Sequence, residues 1–152
     1  MQKYLSNIVI CAITQTMSIK PIKYHSKDSA KFLLKIHLIL VCKYRKQLLT
    51  QLGEDCKQIM FGISQVSDFN IDTIEADKDH IHILLDIVPK ISISSIVNRL
   101  KSISTNRLWK RHKNYLRTQF WKEKTFWSDG YFACTTGNAN METIKKYIET
   151  QD

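Results

Sequence analysis

The sequence predicts an α+β protein with a ferredoxin-like, RRM-like antiparallel sheet in the order βαββαβ, followed by one added C-terminal helix. Apolar runs with strand character alternate with segments of helical periodicity along the chain. A short polar turn between two of the runs indicates a hairpin. The hydrophobic content of 43%, with only 4 Gly and 2 Pro, indicates an ordered globular chain. This split βαβ plan covers one face of the sheet with helices and leaves the other face for ligands.

The first predicted strand covers residues 32–43 and is apolar enough to lie at the centre of the sheet. Successive side chains of a strand point to opposite faces. One face of this strand would carry Leu34, Ile36, Leu38 and Leu40. The other face would carry Lys35, His37 and Ile39.

A helix and a hairpin should follow the first strand. Residues 50–68 have apolar side chains at helical spacing, namely Ile59, Met60, Ile63 and Val66. Residues 70–77 predict a second strand and residues 80–87 a third. The polar residues 77–79 between these strands predict the turn of a hairpin.

The second half of the chain predicts a helix, a strand and a last helix. Pro89 ends the third strand because it cannot donate a hydrogen bond to a ladder. Ser94 or Ser95 can cap a helix whose apolar face carries Ile96, Val97, Leu100 and Ile103. Residues 108–129 mix basic and aromatic side chains with little periodicity, and residues 131–136 predict the fourth strand. Asn140 can cap the last helix.

The length of 152 residues predicts one domain with a modest core. Residues 1–27 lack a clear period and are interpreted as a poorly ordered N-terminal extension, so the single domain would cover residues 28–152. The apolar run at residues 8–13 is too short to span a membrane. None of the 4 Cys has zinc-finger spacing. We interpret them as mostly buried, reduced thiols of a cytoplasmic protein.

A pair of histidines suggests a metal site. On the predicted third strand, His80 and His82 would project from one face, because residues two apart share a face. The opposite, core-facing side would carry Ile81, Ile83, Leu85 and Ile87. Two adjacent imidazoles can share one metal ion, each through one ring nitrogen. A short HxH motif is weak by itself, and two incidental surface histidines remain the alternative.

The predicted last helix carries a candidate nucleophile. Tyr147 and Gln151 are four residues apart, so the phenol and the amide would approach the same site. A tyrosine suits phosphodiester cleavage in which the bond energy is kept as a phosphotyrosine. Gln151 offers an oxygen as a third metal ligand. For this segment alone, an ordinary amphipathic helix with Tyr147 packed at its edge is the simpler interpretation.

The charge of the chain favours a polyanionic partner, most simply nucleic acid. There are 23 Lys and Arg against 14 Asp and Glu, a net charge of +9. Cations can follow a phosphate backbone while aromatic rings stack on unpaired bases. The aromatic residues of the basic stretch 99–124 are Trp109, Tyr115, Phe120 and Trp121. The candidate DNA contacts are Lys43, Arg45, Arg99, Lys101, Arg107, Lys110 and Arg111.

Together these motifs resemble the HUH-type single-tyrosine transposases of small prokaryotic insertion sequences, to which the REP-associated tyrosine transposases are closely related. The resemblance covers about residues 20–152 and rests on separated motifs in one order. They are KIHL at 35–38, KYR at 43–45, DKDHIHIL at 77–84, Ser128 with Gly130-Tyr131-Phe132, and KYIETQ at 146–151.

The resemblance implies a transposase that cleaves and rejoins single-stranded DNA at insertion-sequence ends through a 5′-phosphotyrosine. It implies Tyr147 as the catalytic residue and His80, His82 and Gln151 as ligands of Mg²⁺ or Mn²⁺. It also implies single-stranded DNA with end hairpins as the substrate. A homodimer with composite active sites follows from it, in which the tyrosine acts in cis or in trans.

Four alternatives remain open from the sequence. A domesticated HUH endonuclease would act on chromosomal repeats without mobilising itself. An HUH endonuclease of replication or plasmid transfer would usually be larger. A non-catalytic nucleic-acid binder on a ferredoxin-like sheet would use the basic surface, with His80 and His82 as bystanders. A decayed transposase copy has no positive support from the sequence, because all the expected catalytic residues are present.

Overall fold

The computed structural model describes residues 25–27 and 30–135, and it confirms the predicted α+β architecture. The chain divides into two compact units, residues 1–31 and residues 32–152. The described part of the first unit contains β1 (His25–Lys27) and most of β2 (Ala30–Phe32), which pair with each other. The predicted start of the main domain at residue 28 stays a prediction.

The described part of the second unit, which ends at residue 135, contains a four-stranded antiparallel sheet and three helices. Its strands are β3 (Leu34–Val41), β4 (Phe69–Ala76), β5 (His80–Ile87) and β6 (Phe132–Thr135). Its helices are α1 (Leu49–Ser64), α2 (Ile93–Arg111) and α3 (Lys113–Gln119). The strand order β4-β5-β3-β6 places β3 and β5 at the centre. This is the predicted split βαβ arrangement.

The strand alternation buries one face of the sheet against α1 and α2. Leu38 and Leu40 of β3 and Ile81 and Ile83 of β5 are fully buried in one cluster with the apolar faces of both helices. Burying each such side chain contributes about 1.5–3 kcal/mol of transfer free energy. The predicted inward set of β5 is therefore confirmed, and the side chains between them must point to the opposite face.

The predicted C-terminal end of the first helix was wrong. Val66 was expected on its apolar face, but α1 ends at Ser64 and Val66 is 70% exposed. The hydroxyls of Ser64 and Ser67 donate to the carbonyls of Phe61 and Ile63, at 2.8 and 2.6 Å. Because these hydroxyls satisfy carbonyls of the last turn, the helix ends at Ser64 although residues with helical apolar spacing continue to Val66.

The cap of the second helix lies two or three residues earlier than predicted. Ser92, rather than Ser94 or Ser95, is the N-cap of α2: its backbone is extended and its Oγ accepts from the Ser95 N–H at 3.2 Å. Ser94 and Ser95 lie in the first turn. The N-cap is the residue at which the backbone leaves the extended conformation that follows Pro89. The presence of several serines does not show which of them occupies this position.

The basic and aromatic stretch at 108–129 is more helical than its composition predicted. α2 continues to Arg111, and α3 follows directly after His112. The apolar stripe was missed because Ser104 is fully buried between Leu100 and Leu108, at the position where helical spacing asks for an apolar residue.

The segment after α3 returns to the sheet and is held by a buried hydrogen bond. The indole N–H of Trp127 donates to Ser104 Oγ at 2.9 Å. The Ser128 N–H donates to the Val41 carbonyl, and the Lys43 N–H donates to the Phe126 carbonyl, both at 2.8 Å. These contacts fix residues 126–128 beside the end of β3.

The predicted fourth strand is confirmed as β6, while the predicted last helix with Asn140 lies outside the described residues. Cys42 and Cys56 are buried free thiols, and Cys134 is a half-buried one. Within the described ranges, none of the helices combines the length and the apolar character needed to cross a membrane.

Ser104→Ala should destabilise the protein by about 1–3 kcal/mol, because it leaves the buried indole N–H of Trp127 without its acceptor. Urea unfolding followed by circular dichroism measures this. Ser102→Ala, an exposed position on the same helix, serves as the matched control and should change stability little. Equal stability of both variants would contradict the assigned role of Ser104.

Candidate active site

Three imidazoles lie together on the sheet face opposite α1 and α2. In the antiparallel register, Val41 stands opposite His80 and Ile39 opposite His82. His37, two residues before Ile39, points to the same face. The ring centroids of His80 and His82 are 4.9 Å apart, and those of His37 and His82 are 5.4 Å apart. The structure thus brings together the two histidines that the sequence placed on one face and adds a third.

The His80 ring is oriented by a carboxylate. His80 Nδ1 donates to Asp79 Oδ1 at 2.8 Å, and Asp79 Oδ2 accepts from Arg45 Nε at 3.3 Å. Burial by itself raises the pKa of Asp79, but the hydrogen bond and charge of His80, with the charge of Arg45, outweigh burial and lower that pKa. Asp79 therefore stays ionised and holds the proton of His80 on Nδ1, which leaves Nε2 available as a ligand.

The His82 ring is oriented by another imidazole. His82 Nδ1 and His37 Nε2 are 3.2 Å apart, so one of them carries the hydrogen of a shared hydrogen bond. When His82 uses Nε2 as a ligand, its Nδ1–H donates and His37 Nε2 accepts. His80 and His82 then both present Nε2 to the ion.

Burial keeps the imidazoles of His82 and His37 neutral. Burial, followed by the charges of His80 and His37, lowers the pKa of His82 to about 3. Burial also lowers the pKa of His37. Because only a neutral imidazole has a lone pair to offer, a buried ring is ready to bind a metal ion at neutral pH without first losing a proton.

His80 and His82 can supply part of the ligand set of a metal site. Each Nδ1 is occupied by a neighbour, so both Nε2 atoms remain for an ion. Residues 25–27 and 30–135 contain no group of three or more His, Cys, Asp and Glu side chains that could hold a metal. The described residues thus offer two nitrogen ligands, and any further ligand must come from another side chain type, from the rest of the chain or from substrate.

Sequence reasoning missed the partners of the histidine pair. The predicted first strand has His37 on the correct face, but the sequence pattern does not connect His37 to His82. The hairpin prediction gives Asp79 only a position in the turn. Glu75 stands opposite His82 on β4 with an exposed side chain. The signal for Glu75 was the hairpin: its turn consists of residues 78–79, one residue shorter than predicted, and counting back from that turn pairs residue 75 with residue 82.

The predicted nucleophile and third ligand, Tyr147 and Gln151, lie outside the described residues.

Several of the predicted DNA contacts are engaged within the protein. Lys101 Nζ donates to the carbonyls of Ser128, Asp129 and Gly130 at 2.8, 3.0 and 2.7 Å. Burial is the main reason that the pKa of Lys101 falls to about 8. Lys43 Nζ bonds to Asp129 at 2.9 Å. These two lysines tie the loop at 128–130 to α2 and to the end of β3.

The predicted arginines divide between internal contacts and exposure. Arg45 binds Asp79, Arg111 forms an ion pair with Asp55, and Arg99 reaches the Val66 carbonyl at 3.4 Å. The side chains of Arg107 and Lys110 on α2 are exposed. The positive surface is therefore smaller than the composition suggests.

The aromatic residues of the basic stretch are mostly core residues, with one clear exception. Trp109 and Phe120 are buried and Tyr115 is half-buried. Trp121 is 92% exposed, and Lys122 Nζ lies 5.6 Å from its ring centroid. Trp121 is thus the aromatic side chain of this stretch that is free to stack on a base.

Comparisons with known proteins agree on a family. The family described as "Transposase IS200 like" matches residues 30–151. The ISDra2 transposase TnpA of Deinococcus radiodurans is 29% identical over 137 residues, which are 90% of this chain and 96% of that protein. The transposase for insertion sequence element IS200 of Salmonella typhimurium is 32% identical over 120 residues, 77% of this chain and 76% of that protein.

Solved structures show the same fold. A crystallised transposase candidate from Deinococcus radiodurans R1 superposes with a TM-score of 0.75 at 26% identity, over 82% of this chain and 95% of that chain. A REP-associated tyrosine transposase bound to a REP hairpin superposes with a TM-score of 0.50 at 14% identity, over 88% of this chain and 69% of that chain. The second likeness concerns the fold alone.

The metal-free protein should lose stability as the pH falls from 7 to 5, and His82 should supply about 2 kcal/mol of this loss. The folded pKa of about 3 lies below the ordinary value of 6.5. The unfolded chain therefore binds this proton first, and the stabilisation present above pH 6.5 is lost as the pH falls towards 3. Urea unfolding in EDTA should show a pH dependence smaller by about this amount in His82→Gln. The same dependence in both proteins would refute a buried neutral His82.

Proposed function

This chain belongs to the IS200-like transposase family, and from this premise we propose that it cleaves and rejoins single-stranded DNA at the ends of an insertion sequence by the HUH single-tyrosine mechanism. The supporting observation is the pair of imidazoles, His80 and His82, whose rings lie 4.9 Å apart and are each held by a neighbour at Nδ1. Incidental surface histidines would have no need of such oriented, buried rings.

The histidine pair would hold a divalent cation through both Nε2 atoms, with Gln151 as the third ligand. Magnesium and manganese are the candidate ions, and two nitrogen ligands suit manganese better. When bound, the ion supplies positive charge that polarises the scissile phosphate and neutralises the charge developing on it. Asp79 and His37 hold the two rings in the orientation that this requires.

Tyr147 would be the nucleophile. Its phenolic oxygen, having lost its proton, attacks phosphorus, and the bond between phosphorus and the 3′ oxygen breaks. The 3′ oxygen takes up a proton and leaves as a hydroxyl, while the downstream strand remains attached as a 5′-phosphotyrosine. A 3′-hydroxyl of another strand then attacks the phosphotyrosine, restoring a phosphodiester and the free tyrosine. Neither step needs an external energy source, because one ester bond replaces another.

The proposed substrate is single-stranded DNA with hairpins near the element ends. A relative of the same fold is named as bound to a REP hairpin, which supports a structured DNA partner here. The exposed cations Arg107 and Lys110 would contact phosphates. Trp121 and its neighbour Lys122 would bind an unpaired nucleotide, the ring stacking on the base and the ammonium attracting the phosphate.

We further propose that residues 28–152 act as one domain and that the protein works as a homodimer with composite active sites. In such a dimer the tyrosine of one subunit would complete either its own site or the partner's. The second candidate function is processing of chromosomal repeats by a domesticated relative, for which the likeness to a REP-associated transposase shows a shared fold alone. The higher identity to the IS200 and ISDra2 transposases favours the insertion-sequence role.

The central test is formation of a covalent protein–DNA adduct. Single-stranded DNA carrying the hairpin and flank of the element's end, labelled at its 3′ end, is incubated with Mn²⁺ or Mg²⁺ and analysed by denaturing gel. We expect a metal-dependent labelled adduct, whereas a 5′ label should appear in a shortened free strand. Tyr147→Phe and His82→Ala should each abolish the adduct, since one lacks the nucleophile and the other a metal ligand.

Tyr115→Phe, which removes a different phenol, is the matched control and should keep the adduct. An adduct in Tyr147→Phe would exclude Tyr147 as the nucleophile. Tight binding of the correct end without any adduct from the wild-type protein would favour the non-catalytic interpretation.

Trp121→Ala should weaken binding of a labelled single strand by roughly 5- to 100-fold, as expected for loss of about 1–3 kcal/mol of base stacking. Trp121→Phe should keep most of the affinity. Because the ring is 92% exposed, neither variant should change the melting temperature. Fluorescence anisotropy measures the affinity, with Val66→Ala, another exposed apolar position, as the control. Unchanged affinity in Trp121→Ala would remove this residue from the DNA surface.

A further inference from the structure

The turn after β3 has an unusual backbone. Lys43–Arg45 form one turn of 3-10 helix, yet Tyr44 has φ 56° and ψ 26°, and Arg45 has φ 50°. Both residues occupy the left-handed region, which side chains with a Cβ rarely adopt and glycine adopts without strain. Such strain persists only where surrounding contacts impose it, and it is found most often at functional sites.

Contacts with two other segments impose this conformation. The Cys42 N–H donates to the Asp79 carbonyl, and the Lys43 N–H donates to the Phe126 carbonyl, both at 2.8 Å. The side chains on either side of Tyr44 are also anchored, Lys43 to Asp129 at 2.9 Å and Arg45 to Asp79 at 3.3 Å. The turn is therefore held from both ends, and its central residue is forced outwards.

The Tyr44 ring has no role in the core. It is 55% exposed, and the ammonium of Lys43 lies 5.5 Å from its centroid. An exposed aromatic ring offers a flat apolar surface on which an unpaired base can stack. A glycine at this position would satisfy the backbone better, so the tyrosine side chain itself calls for an explanation.

The turn lies beside the histidine pair. Arg45, the neighbour of Tyr44, binds the same Asp79 carboxylate that orients His80. Val41, which precedes the turn, pairs directly with His80 in the sheet. A DNA strand whose phosphate reached His80 and His82 would pass close to the Tyr44 ring.

We propose that Tyr44 is a base-stacking residue that binds one unpaired nucleotide of the DNA strand next to the phosphate held at the histidine pair. This inference rests on the proposed function and names a part of its substrate site. The ring face stacks on a base of any identity, so it selects an unstacked, single-stranded nucleotide rather than a sequence. Anchoring by Asp79 and Asp129 sets the ring in place before DNA binds, which lowers the entropy cost of binding.

The decisive variant is Tyr44→Gly in a Tyr147→Phe background. Glycine relieves the positive φ, so the melting temperature should stay the same or rise. Affinity for a single strand containing the element's end, measured by anisotropy with Mn²⁺ present, should nevertheless fall about tenfold or more, because the stacked ring is lost. Tyr44→Phe keeps the ring and should keep the affinity. A role in stability alone predicts the opposite pattern, a loss of melting temperature with unchanged affinity.

A fluorescent base locates the contact. 2-Aminopurine is placed at successive positions across the cleavage site, and stacking on Tyr44 should quench it at one or two of them. Tyr44→Gly should remove this quenching and Tyr44→Phe should retain it. Phe61→Ala, an exposed aromatic residue on α1, is the matched control and should change neither affinity nor quenching. Affinity for a fully paired duplex should not depend on Tyr44.

The outcomes separate this inference from the proposed function. If the Tyr147→Phe protein binds the single strand and the added Tyr44→Gly change leaves both affinity and quenching the same, the inference is overturned. The proposed transposase mechanism is unaffected by this result. If Tyr44→Gly weakens binding as expected but the wild-type protein forms no adduct, the stacking role stands and the covalent mechanism fails. No binding of any single strand by the Tyr147→Phe protein would overturn both.

Discussion

The candidate site depends on the antiparallel register between β3 and β5. Val41 faces His80 and Ile39 faces His82, and the same alternation sends Ile81 and Ile83 into the helix-covered core. Because side chains alternate with a period of two, a slip of one residue would bury the histidines under the helices and expose the isoleucines. The burial of the apolar residues therefore enforces the geometry of the polar ones, and the core and the site cannot vary independently.

Within that register, the two histidines have different neighbours. A carboxylate, itself held by Arg45, fixes His80, whereas the neutral ring of His37 fixes His82. A carboxylate increases the electron density on the ring that it binds, and a neutral imidazole does so less. The two nitrogens offered to an ion are thus alike in position but unequal in donor strength. Burial holds the pKa of His82 far below neutrality, which keeps its lone pair available.

The positive charge of the chain has two separate tasks. Lys101 and Lys43 secure the loop at 128–130, and Arg45 links the strained turn to the Asp79 carboxylate. Arg107 and Lys110 remain exposed on α2 and are the cations suited to attract a polyanion. Some of the cations that suggested a nucleic-acid partner therefore stabilise the loop and the turn beside the histidines instead. The sign of a residue's charge does not reveal whether the residue binds DNA or stabilises the fold.

The sequence by itself determined the four strands of the main sheet, the helices α1 and α2, the inward face of β5 and the common face of His80 and His82, because these follow from local periods of two and 3.6 residues. The sequence did not predict the helix end at Ser64, the Ser92 cap or the helix that follows residue 104. At these places side-chain hydrogen bonds and one buried serine override the apolar pattern. Only the tertiary structure decided which partners orient the imidazoles and which cations are free. Those contacts join residues such as His37 and His82, 45 positions apart, and they depend on strand register and packing, which no local period encodes.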